Sequence, residues 1–337
     1  MIVSIAVVAY NEEKALPRLL EDIRNQDYPH EKIEVLLIDS MSTDGTYQIM
    51  KAFQSQCCDF MGVTVLRNPE RVIPCGHNLA IAAYSGEALV RVDAHVSLAS
   101  DFISKSVLGL ESGEDVYGGV VDSVIDRDSS FARTFLIAEN SVFCGGAAGF
   151  RHITQKEYVD TLAFALYRRC VFERVGYYNP LLPRSEDNDM NYRVREAGYR
   201  LCCDPSIRTT RYSRSTFGKL LKQKYLNGYW IGKTMGVNPK CFSIYHFVPF
   251  VFLLGILLTS ILALLGHPFL AGLMWSVYLV TDLFVSVMEI RRASLSATNL
   301  LLPVIFLLLH LSYGIGTLNG LIAMPFLMRK IKALKER

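Results

Sequence analysis

Residues 90–95 read Val90-Arg91-Val92-Asp93-Ala94-His95, a short apolar run that ends in two polar side chains separated by one residue. Side chains two positions apart on a strand share one face. If a strand ends here, Asp93 and His95 can reach the same divalent ion, because carboxylate and imidazole donors suit Mn²⁺ or Mg²⁺ with phosphate oxygens completing the shell. Asp-x-His is also common by chance, and a strand end whose polar residues simply face water has the same pattern. The stretch predicts a site only in company with other motifs.

Two earlier apolar runs also end in polar residues. Residues 2–9 (IVSIAVVA) close in Tyr10-Asn11-Glu12-Glu13, after which leucine and isoleucine recur at helical spacing as far as residue 26. Residues 33–38 (IEVLLI) end in Asp39 and turn-forming residues before a second helical pattern. Strands that end in polar residues and lead into helices predict an α/β fold with a doubly wound parallel sheet. Its ligand edge is expected at the carboxyl ends of the strands.

Asp39 has two interpretations in such a fold. Its carboxylate can accept a hydrogen bond from a nucleobase imide or a ribose hydroxyl, with Tyr10 or its backbone facing the base, or it can cap the next helix. No Gly-x-Gly-x-x-Gly follows the first strand and no Walker A sequence occurs, which argues against a dinucleotide fold and a P-loop. A nucleotide, if bound, is held differently.

The carboxyl-terminal part of the chain is far more apolar than the rest. The 337 residues are 51% hydrophobic, and the mean hydropathy is +0.24. No Asp, Glu, Lys or Arg occurs in residues 241–281 or 293–328, and each tract can hold at least one span of about 20 residues. Residues 1–240 carry 28 basic and 29 acidic residues, net −1, against 7 and 3, net +4, in residues 241–337. A basic-flanked membrane domain is therefore predicted after residue 240.

The predicted spans cover about residues 244–265 and 269–288. Because no secretory signal is visible at the amino terminus, the first domain is expected in the cytoplasm, and Arg291 and Arg292 then lie on that side, as the positive-inside rule requires. The third tract leaves two alternatives. One crossing would put the basic carboxyl terminus outside, whereas a re-entrant or doubled passage around residues 312–316 would return it to the cytoplasm.

Five motifs in order resemble glycosyltransferase family 2: AYNEE, IDSMSTDG, NPERVIPCGHNLAIAAYSGE, RVDAH and SEDNDMNYRVREAGYR. The similarity covers about residues 1–215. Together with the hydrophobic carboxyl-terminal part, it is strongest to the membrane-bound transferases that build exopolysaccharides of the succinoglycan type. The resemblance implies an inverting hexosyltransferase of GT-A fold that uses a nucleotide-diphosphate sugar.

The resemblance also implies roles for individual residues. By motif position, Tyr10, Glu12 and Asp39 contact the nucleoside, Asp93 contacts the donor, and Asp93 with His95 holds Mn or Mg. The family's usual metal motif ends in Asp where this chain has His95, and imidazole remains an adequate ligand.

A second acidic cluster, Ser185-Glu186-Asp187-Asn188-Asp189, precedes a helical pattern that ends near Gly198. Negative charge at this place stabilises a helix amino terminus, which is compatible with a catalytic role. The resemblance implies that Asp187 is the general base, taking the acceptor hydroxyl proton as the oxygen attacks the anomeric carbon. Glu186 is expected to orient it or share its charge.

Residues 208–240 interleave basic and aromatic side chains. The adjacent membrane domain favours an interfacial helix over a surface for single-stranded nucleic acid. Processive synthases of the family carry Gln-x-x-Arg-Trp at about this place, whereas this chain has Gln223 with Trp230 displaced. We therefore expect a single-addition transferase, with Gln223 and Trp230 near the acceptor.

The predicted protein has a GT-A domain over residues 1–215, an interfacial helix over 216–240 and about three hydrophobic transmembrane segments over 241–337. It lies in the inner membrane, multi-pass, with its catalytic domain facing the cytoplasm and no nucleic-acid partner. The predicted reaction moves one sugar, with a UDP-sugar as the first choice of donor, to a polyprenyl-diphosphate-linked glycan in exopolysaccharide or cell-surface glycan synthesis. A polyprenyl-phosphate sugar synthase and a catalytically silent membrane scaffold are the alternatives.

Overall fold

The computed structural model describes residues 1–126, 128–144, 153–213, 216–293 and 296–335. The chain divides into two compact units, one made of Met1–Asp122 with Ala148–Tyr212 and the other of Ser123–Ala147 with Ser213–Arg337. The second unit thus includes a segment that precedes the last strands of the first. The domain limits predicted from the sequence, 1–215, 216–240 and 241–337, stay predictions.

Nine strands occur in the described residues and form one sheet. They are β1 (Val3–Ala9), β2 (Ile33–Asp39), β3 (Gly62–Arg67), β4 (Ala88–Asp93), β5 (Val96–Leu98), β6 (Val116–Ile125), β7 (Glu157–Val159), β8 (Ala165–Arg168) and β9 (Leu201–Ser213). The order across the sheet is β3-β2-β1-β4-β8-β6-β9-β5, with β7 paired to β9.

The first four strands run parallel, whereas the pairs β4–β8, β5–β9, β6–β8 and β7–β9 are antiparallel. Strands β1 and β2 are buried along almost their whole length because helices cover both faces, which explains their continuous apolar sequence. The predicted strand over residues 33–38 therefore has the expected place and type. The parallel sheet expected from the sequence describes half of the molecule's sheet, since residues after 95 add antiparallel strands that periodicity alone did not reveal.

Six helices accompany the sheet in the first unit: α1 (Leu16–Arg24), α2 (Thr46–Gln56), α3 (Ile73–Ala83), α4 (Phe102–Glu111), α6 (Arg169–Val175) and α7 (Glu186–Glu196). Helix α1 shows why the spacing of apolar residues predicted a helix. Its leucines at positions 16, 19 and 20 and Ile23 are all buried, on one face of an otherwise charged helix. The acidic cluster at residues 185–189 begins α7, as predicted, with Ser185 at the N-cap position.

The second unit is helical. It contains α5 (Ser130–Asn140), α8 (Phe217–Thr234), α9 (Val248–Leu264), α10 (Phe269–Arg292) and α11 (Leu302–Lys335). Three stretches of its described residues are long and apolar enough to cross a membrane: Ile244–Leu264, Phe269–Arg292 and Ala297–Arg329. Helix α11 continues through residues 312–316 without a break, so the re-entrant or doubled passage considered for this tract is not observed.

Candidate active site

The ends of the four parallel strands bring the predicted donor-site residues to one edge of the sheet. Asp39 pairs with Ala9 on one side and with Arg67 on the other, and Asp93 pairs with Val8. Tyr10 follows β1 directly and is half exposed. The register thus places three of the predicted residues at neighbouring strand ends, which is where an open α/β sheet binds its ligand.

Backbone strain concentrates in the loops at this edge. Among the described residues, the non-glycine residues with positive φ are Asn11 (55°), Met41 (62°) and Arg71 (56°), which follow β1, β2 and β3. Each such conformation costs roughly 1 kcal/mol or more. Strain of this kind persists only where the surrounding structure holds the loop, and it is typical of binding sites.

The loops after β1 and β2 are held together by hydrogen bonds. The Thr43 amide donates to Asn11 Oδ1 at 2.8 Å, and the Asn11 amide donates to Ser42 Oγ at 3.0 Å. The Glu12 amide donates to Thr46 Oγ1 at 2.8 Å. These bonds fix the loop that carries Tyr10 and Glu12 against the loop that follows Asp39.

Asp39 is fully buried and does not cap a helix. Its Oδ1 accepts from the Ser42 amide at 3.1 Å, and its Oδ2 lies 3.4 Å from Nε of Arg67. Helix α2 begins only at Thr46, with Gly45 at the N-cap position. The Arg67 guanidinium carbon lies 4.3 Å from the centroid of the Tyr47 ring. Asp39 therefore holds an arginine over an aromatic ring at the open edge of the sheet.

The predicted metal ligands lie in one turn. Asp93 ends β4, and His95 lies in the connection to β5, with its Nδ1 3.5 Å from Oε1 of Glu12. No group of three or more His, Cys, Asp or Glu that could hold a metal occurs within the described part of the chain. The Asp93 carboxylate and the His95 imidazole are nevertheless suitable donors for Mn or Mg when substrate phosphates complete the shell. The residues present fit a divalent ion that is held together with its ligand.

The acidic pair Glu186 and Asp187 lies beside an arginine that the sequence motifs did not identify. Arg91, two positions before Asp93 on β4, is buried, and its Nη2 forms an ion pair with Oδ1 of Asp187 at the start of α7. The same Nη2 donates to the Ala163 carbonyl at 3.2 Å. Asp187 therefore does not point freely into solvent but is fixed to the strand that ends in Asp93.

Asp187 and Glu186 differ in their environments although they are adjacent. Burial raises the pKa of Asp187, the Arg91 charge opposes that rise, and the nearby Asp93 charge adds to it. In the structure, 37% of the Asp187 side chain is exposed. Burial foremost, and then the charge of Asp187, raises the pKa of Glu186 to about 8. Oε2 of Glu186 has no hydrogen-bond partner among the described residues. Glu186 is therefore largely protonated at neutral pH, and Asp187 is the carboxyl group of the two that forms the ion pair with Arg91.

Two aromatic side chains pack next to Arg91. The Arg91 guanidinium carbon lies 5.6 Å from the centroid of the Tyr178 ring. The His77 ring packs against the Tyr178 ring, with 5.1 Å between the centroids. Asn78 fixes Tyr178 by two bonds of 2.8 Å to its backbone. Burial lowers the pKa of His77 well below its ordinary value, so this imidazole stays neutral beside the arginine. A small cavity next to these residues has room for about one water molecule.

Gln223 and Trp230 lie on α8, in the second unit. The Trp230 ring contacts Tyr229 and lies 4.6 Å from Nζ of Lys233. Oε1 of Gln223 is buried without a hydrogen-bond partner in the described ranges. Their assignment to the acceptor stays a prediction.

Sequence reasoning missed Arg91, Arg67 and Tyr47. A signal for Arg91 was present, because a lone arginine in the apolar run of β4 is rarely buried unless it is paired. For Arg67 and Tyr47 no comparable signal existed, since their contact joins the end of one strand to the helix after another.

The family model described as "Glycosyl transferase family 2" matches residues 4–176, just over half of the chain. The "Dolichyl N-acetyl-alpha-D-glucosaminyl phosphate 3-beta-D-2,3-diacetamido-2,3-dideoxy-beta-D-glucuronosyltransferase" of Methanococcus voltae is 24% identical over 327 residues, 95% of this chain and 97% of that protein. The "Succinoglycan biosynthesis protein ExoA" of Rhizobium meliloti (strain 1021) is 27% identical over 236 residues, 68% of each chain.

A solved structure, the mannosyltransferase PcManGT from Pyrobaculum calidifontis in complex with GDP-Man and Mn²⁺, superposes with a TM-score of 0.54 at 21% identity. The match covers 96% of this chain and 86% of that one. At this identity the likeness concerns the fold. The predicted architecture, a GT-A domain followed by apolar helices, is confirmed.

Proposed function

The chain belongs to glycosyl transferase family 2 and is a glycosyltransferase, and on that premise we propose that it moves one sugar from a UDP-sugar to a lipid-linked glycan with inversion. One observation carries the proposal. Strand β4 ends in Asp93 and, two residues earlier, holds Asp187 through Arg91. A single strand thereby joins the donor-side carboxylate to the candidate base.

The donor side follows from the strand ends. Tyr10, Glu12 and the Asp39–Arg67–Tyr47 group would bind the nucleoside, with the Arg67 guanidinium and the Tyr47 ring offering a cation and an aromatic face. Asp93 and His95 would hold Mn or Mg, and a bound ion supplies charge stabilisation for the departing diphosphate. Glu12 would orient the His95 imidazole from 3.5 Å away.

The acceptor side follows from Asp187. Its carboxylate takes the proton of the acceptor hydroxyl while the oxygen attacks the anomeric carbon from the face opposite the diphosphate, which inverts the configuration. Arg91 opposes the rise in the pKa of this carboxyl group and holds it in place through the ion pair. Glu186, protonated at neutral pH, would not compete for the same proton and has a hydrogen to donate to the bound substrate.

The lipid-linked acceptor is supported by two findings. The described residues contain three stretches long and apolar enough to cross a membrane, and the name of the Methanococcus voltae relative describes a dolichyl-phosphate-linked sugar as its acceptor. We propose a multi-pass protein of the cytoplasmic membrane with its catalytic unit on the cytoplasmic side. The acceptor is a polyprenyl-diphosphate glycan, to which one sugar is added in exopolysaccharide or cell-surface glycan synthesis.

The test is a screen of radiolabelled nucleotide sugars, UDP- and GDP-linked, against membrane lipid extracts, with Asp187→Asn as the matched inactive control. We expect label from a UDP-sugar in a lipid diphosphate product of inverted configuration. A product in which the labelled sugar is attached directly to the lipid phosphate, with no other sugar between them, would instead identify a polyprenyl-phosphate sugar synthase, whose acceptor is already an anion. Retention of configuration would overturn the inverting mechanism.

A further inference from the structure

Helix α8 packs against α11 at the closest distance that backbones allow. A Cβ added to Gly316 would lie 2.1 Å from the Tyr225 carbonyl oxygen, and one added to Gly320 would lie 2.0 Å from that of Tyr229. From the other helix, a Cβ on Gly228 would lie 2.1 Å from the Tyr313 carbonyl oxygen. Glycines spaced by four residues on both helices make this contact possible.

The two helices run in the same direction through this contact. Ser312 Oγ donates to the Leu221 carbonyl at 2.9 Å, Asn319 Nδ2 donates to the Tyr225 hydroxyl at 3.0 Å, and Gly236 faces Met328. Residue numbers in α8 and in the α11 residues they contact increase in the same direction. Residues 312–328 of α11 therefore lie at the same depth as residues 221–236 of α8, wherever the pair sits.

That shared depth conflicts with a crossing of the bilayer by α11. Helix α8 carries Lys222, Gln223 and Lys233 within the paired stretch, and Lys222 is exposed. A lysine side chain inside the hydrocarbon core is strongly unfavourable. If residues 312–328 occupied the core, the lysines of α8 would lie in it with them.

The charges near the two ends of α11 agree with a position outside the core. The last part of the helix contains Arg329, Lys330, Lys332 and Lys335, and the Arg291–Arg292 pair precedes the helix. The positive-inside rule places both groups on one side of the membrane, and a helix that does not cross satisfies it.

We infer that α11 does not cross the bilayer, and that α8 and α11 together form a platform in the anionic lipid headgroup layer, on the side of the membrane where the catalytic unit lies. Only α9 and α10 then cross, as a hairpin joined at Gly266. Exposed Lys219, Lys222 and Lys240 match the headgroup charge, and exposed Ile322 and Phe326 reach the lipid. The inference rests on the membrane attachment proposed above but not on the proposed reaction.

The first test compares two epitope tags on the full-length chain, one inserted at Gly266 and one added at the carboxyl terminus. Protease is applied to intact spheroplasts and to lysed ones. We expect the two tags to be cleaved from opposite sides of the membrane. Cleavage of both from the same side, whichever side it is, would show that α11 crosses and would overturn the inference.

The second test uses the protein's two tryptophans, Trp230 on α8 and Trp275 on α10. Trp275→Phe and Trp230→Phe each leave one reporter in vesicles that contain anionic lipid and a quencher near the headgroup or deep in the chains. Trp230 should be quenched several-fold more by the shallow probe, and Trp275 more by the deep one. Stronger deep quenching of Trp230, or none by either probe, would contradict the platform. Neither measurement requires sugar transfer, so an inactive chain would leave the inference standing.

Discussion

The two carboxylate groups of the catalytic unit are built in opposite ways. On the proposed donor side, Asp39 is buried but satisfied by a backbone amide and by Arg67, at a sheet edge where strained loops are hydrogen-bonded to each other. On the proposed acceptor side, Glu186 is buried with one oxygen lacking a partner among the described residues, and Asp187 is paired with a buried arginine.

This difference shows how the surroundings of a carboxyl group decide whether it binds a ligand or exchanges a proton. A carboxylate that accepts fixed hydrogen bonds is a binding group, because its charge is satisfied before the ligand arrives. A carboxyl group raised in pKa by burial is ready to exchange a proton, and neighbouring carboxyl groups in unequal environments take different roles. The donor side is therefore expected to respond to substitution in binding, and the acceptor side in rate.

The largest expected effect is on the rate of sugar transfer, and it distinguishes the proposed acceptor side from the proposed donor side. Asp187→Asn should lower the transfer rate by about 10²-fold or more, since the amide keeps the shape but cannot take the proton. Nucleotide binding should stay at the wild-type level. Asp93→Ala should lose metal-dependent nucleotide binding as well as transfer. Nucleotide titration with and without Mn or Mg, together with initial rates, provides the measurement.

Both variants must first be shown folded, for example by their thermal transitions in detergent. An Asp187→Asn enzyme that transfers at the wild-type rate would remove this residue from the mechanism.

A smaller effect is expected from the residue that links the two sides. Arg91→Met removes the charge that opposes the raised pKa of Asp187, so that pKa should rise further. The rate requires ionised Asp187, and the acidic limb of the kcat/KM profile should therefore move to higher pH by about one unit. Arg91→Lys should keep most of the wild-type profile.

The matched control is Arg193→Met. Arg193 pairs with Asp189 on the same helix, Nε to Oδ2 at 2.9 Å, but does not contact Asp187. Its profile should be unchanged. An equal shift of the acidic limb of the kcat/KM profile in both variants would mean that the shift comes from a disturbed α7 helix and not from loss of the Arg91 charge.

A third effect concerns stability at the proposed acceptor side. With its pKa at about 8 in the folded chain, Glu186 stays neutral where the unfolded chain ionises above about 4.3. Between these values ionisation favours unfolding, so the side chain lowers the free energy of unfolding as pH rises. Glu186→Gln cannot ionise and should gain stability relative to wild type from pH 5 to pH 8, by at most about 1.4 kcal/mol per pH unit. Denaturant titrations at both pH values measure it.

Glu196→Gln, at the exposed end of the same helix, serves as the comparison. Its stability difference from wild type should not change over this range. A pH-independent difference for Glu186→Gln would show that its carboxyl group is already ionised at pH 5.

The strand-end residues could be predicted from sequence because a parallel sheet aligns the ends of its strands. Asp39 and Asp93 follow buried apolar runs, and the register then leaves them little freedom. The Arg91–Asp187 pair joins residues 96 positions apart. Local periodicity contains no information about a contact at that separation, and only the resemblance to a family marked Asp187 at all.

The sequence alone determined the α/β class, the polar strand ends and the apolar carboxyl-terminal part, because periodicity, turn chemistry and hydropathy act over a few residues. The tertiary structure decided which arginine holds the candidate base, which of two adjacent carboxyl groups stays protonated, and which glycines of α8 and α11 meet. These depend on burial and on contacts between distant segments. A side chain's pKa and a helix's depth are set by what the fold places around them, which neighbouring residues in the chain do not specify.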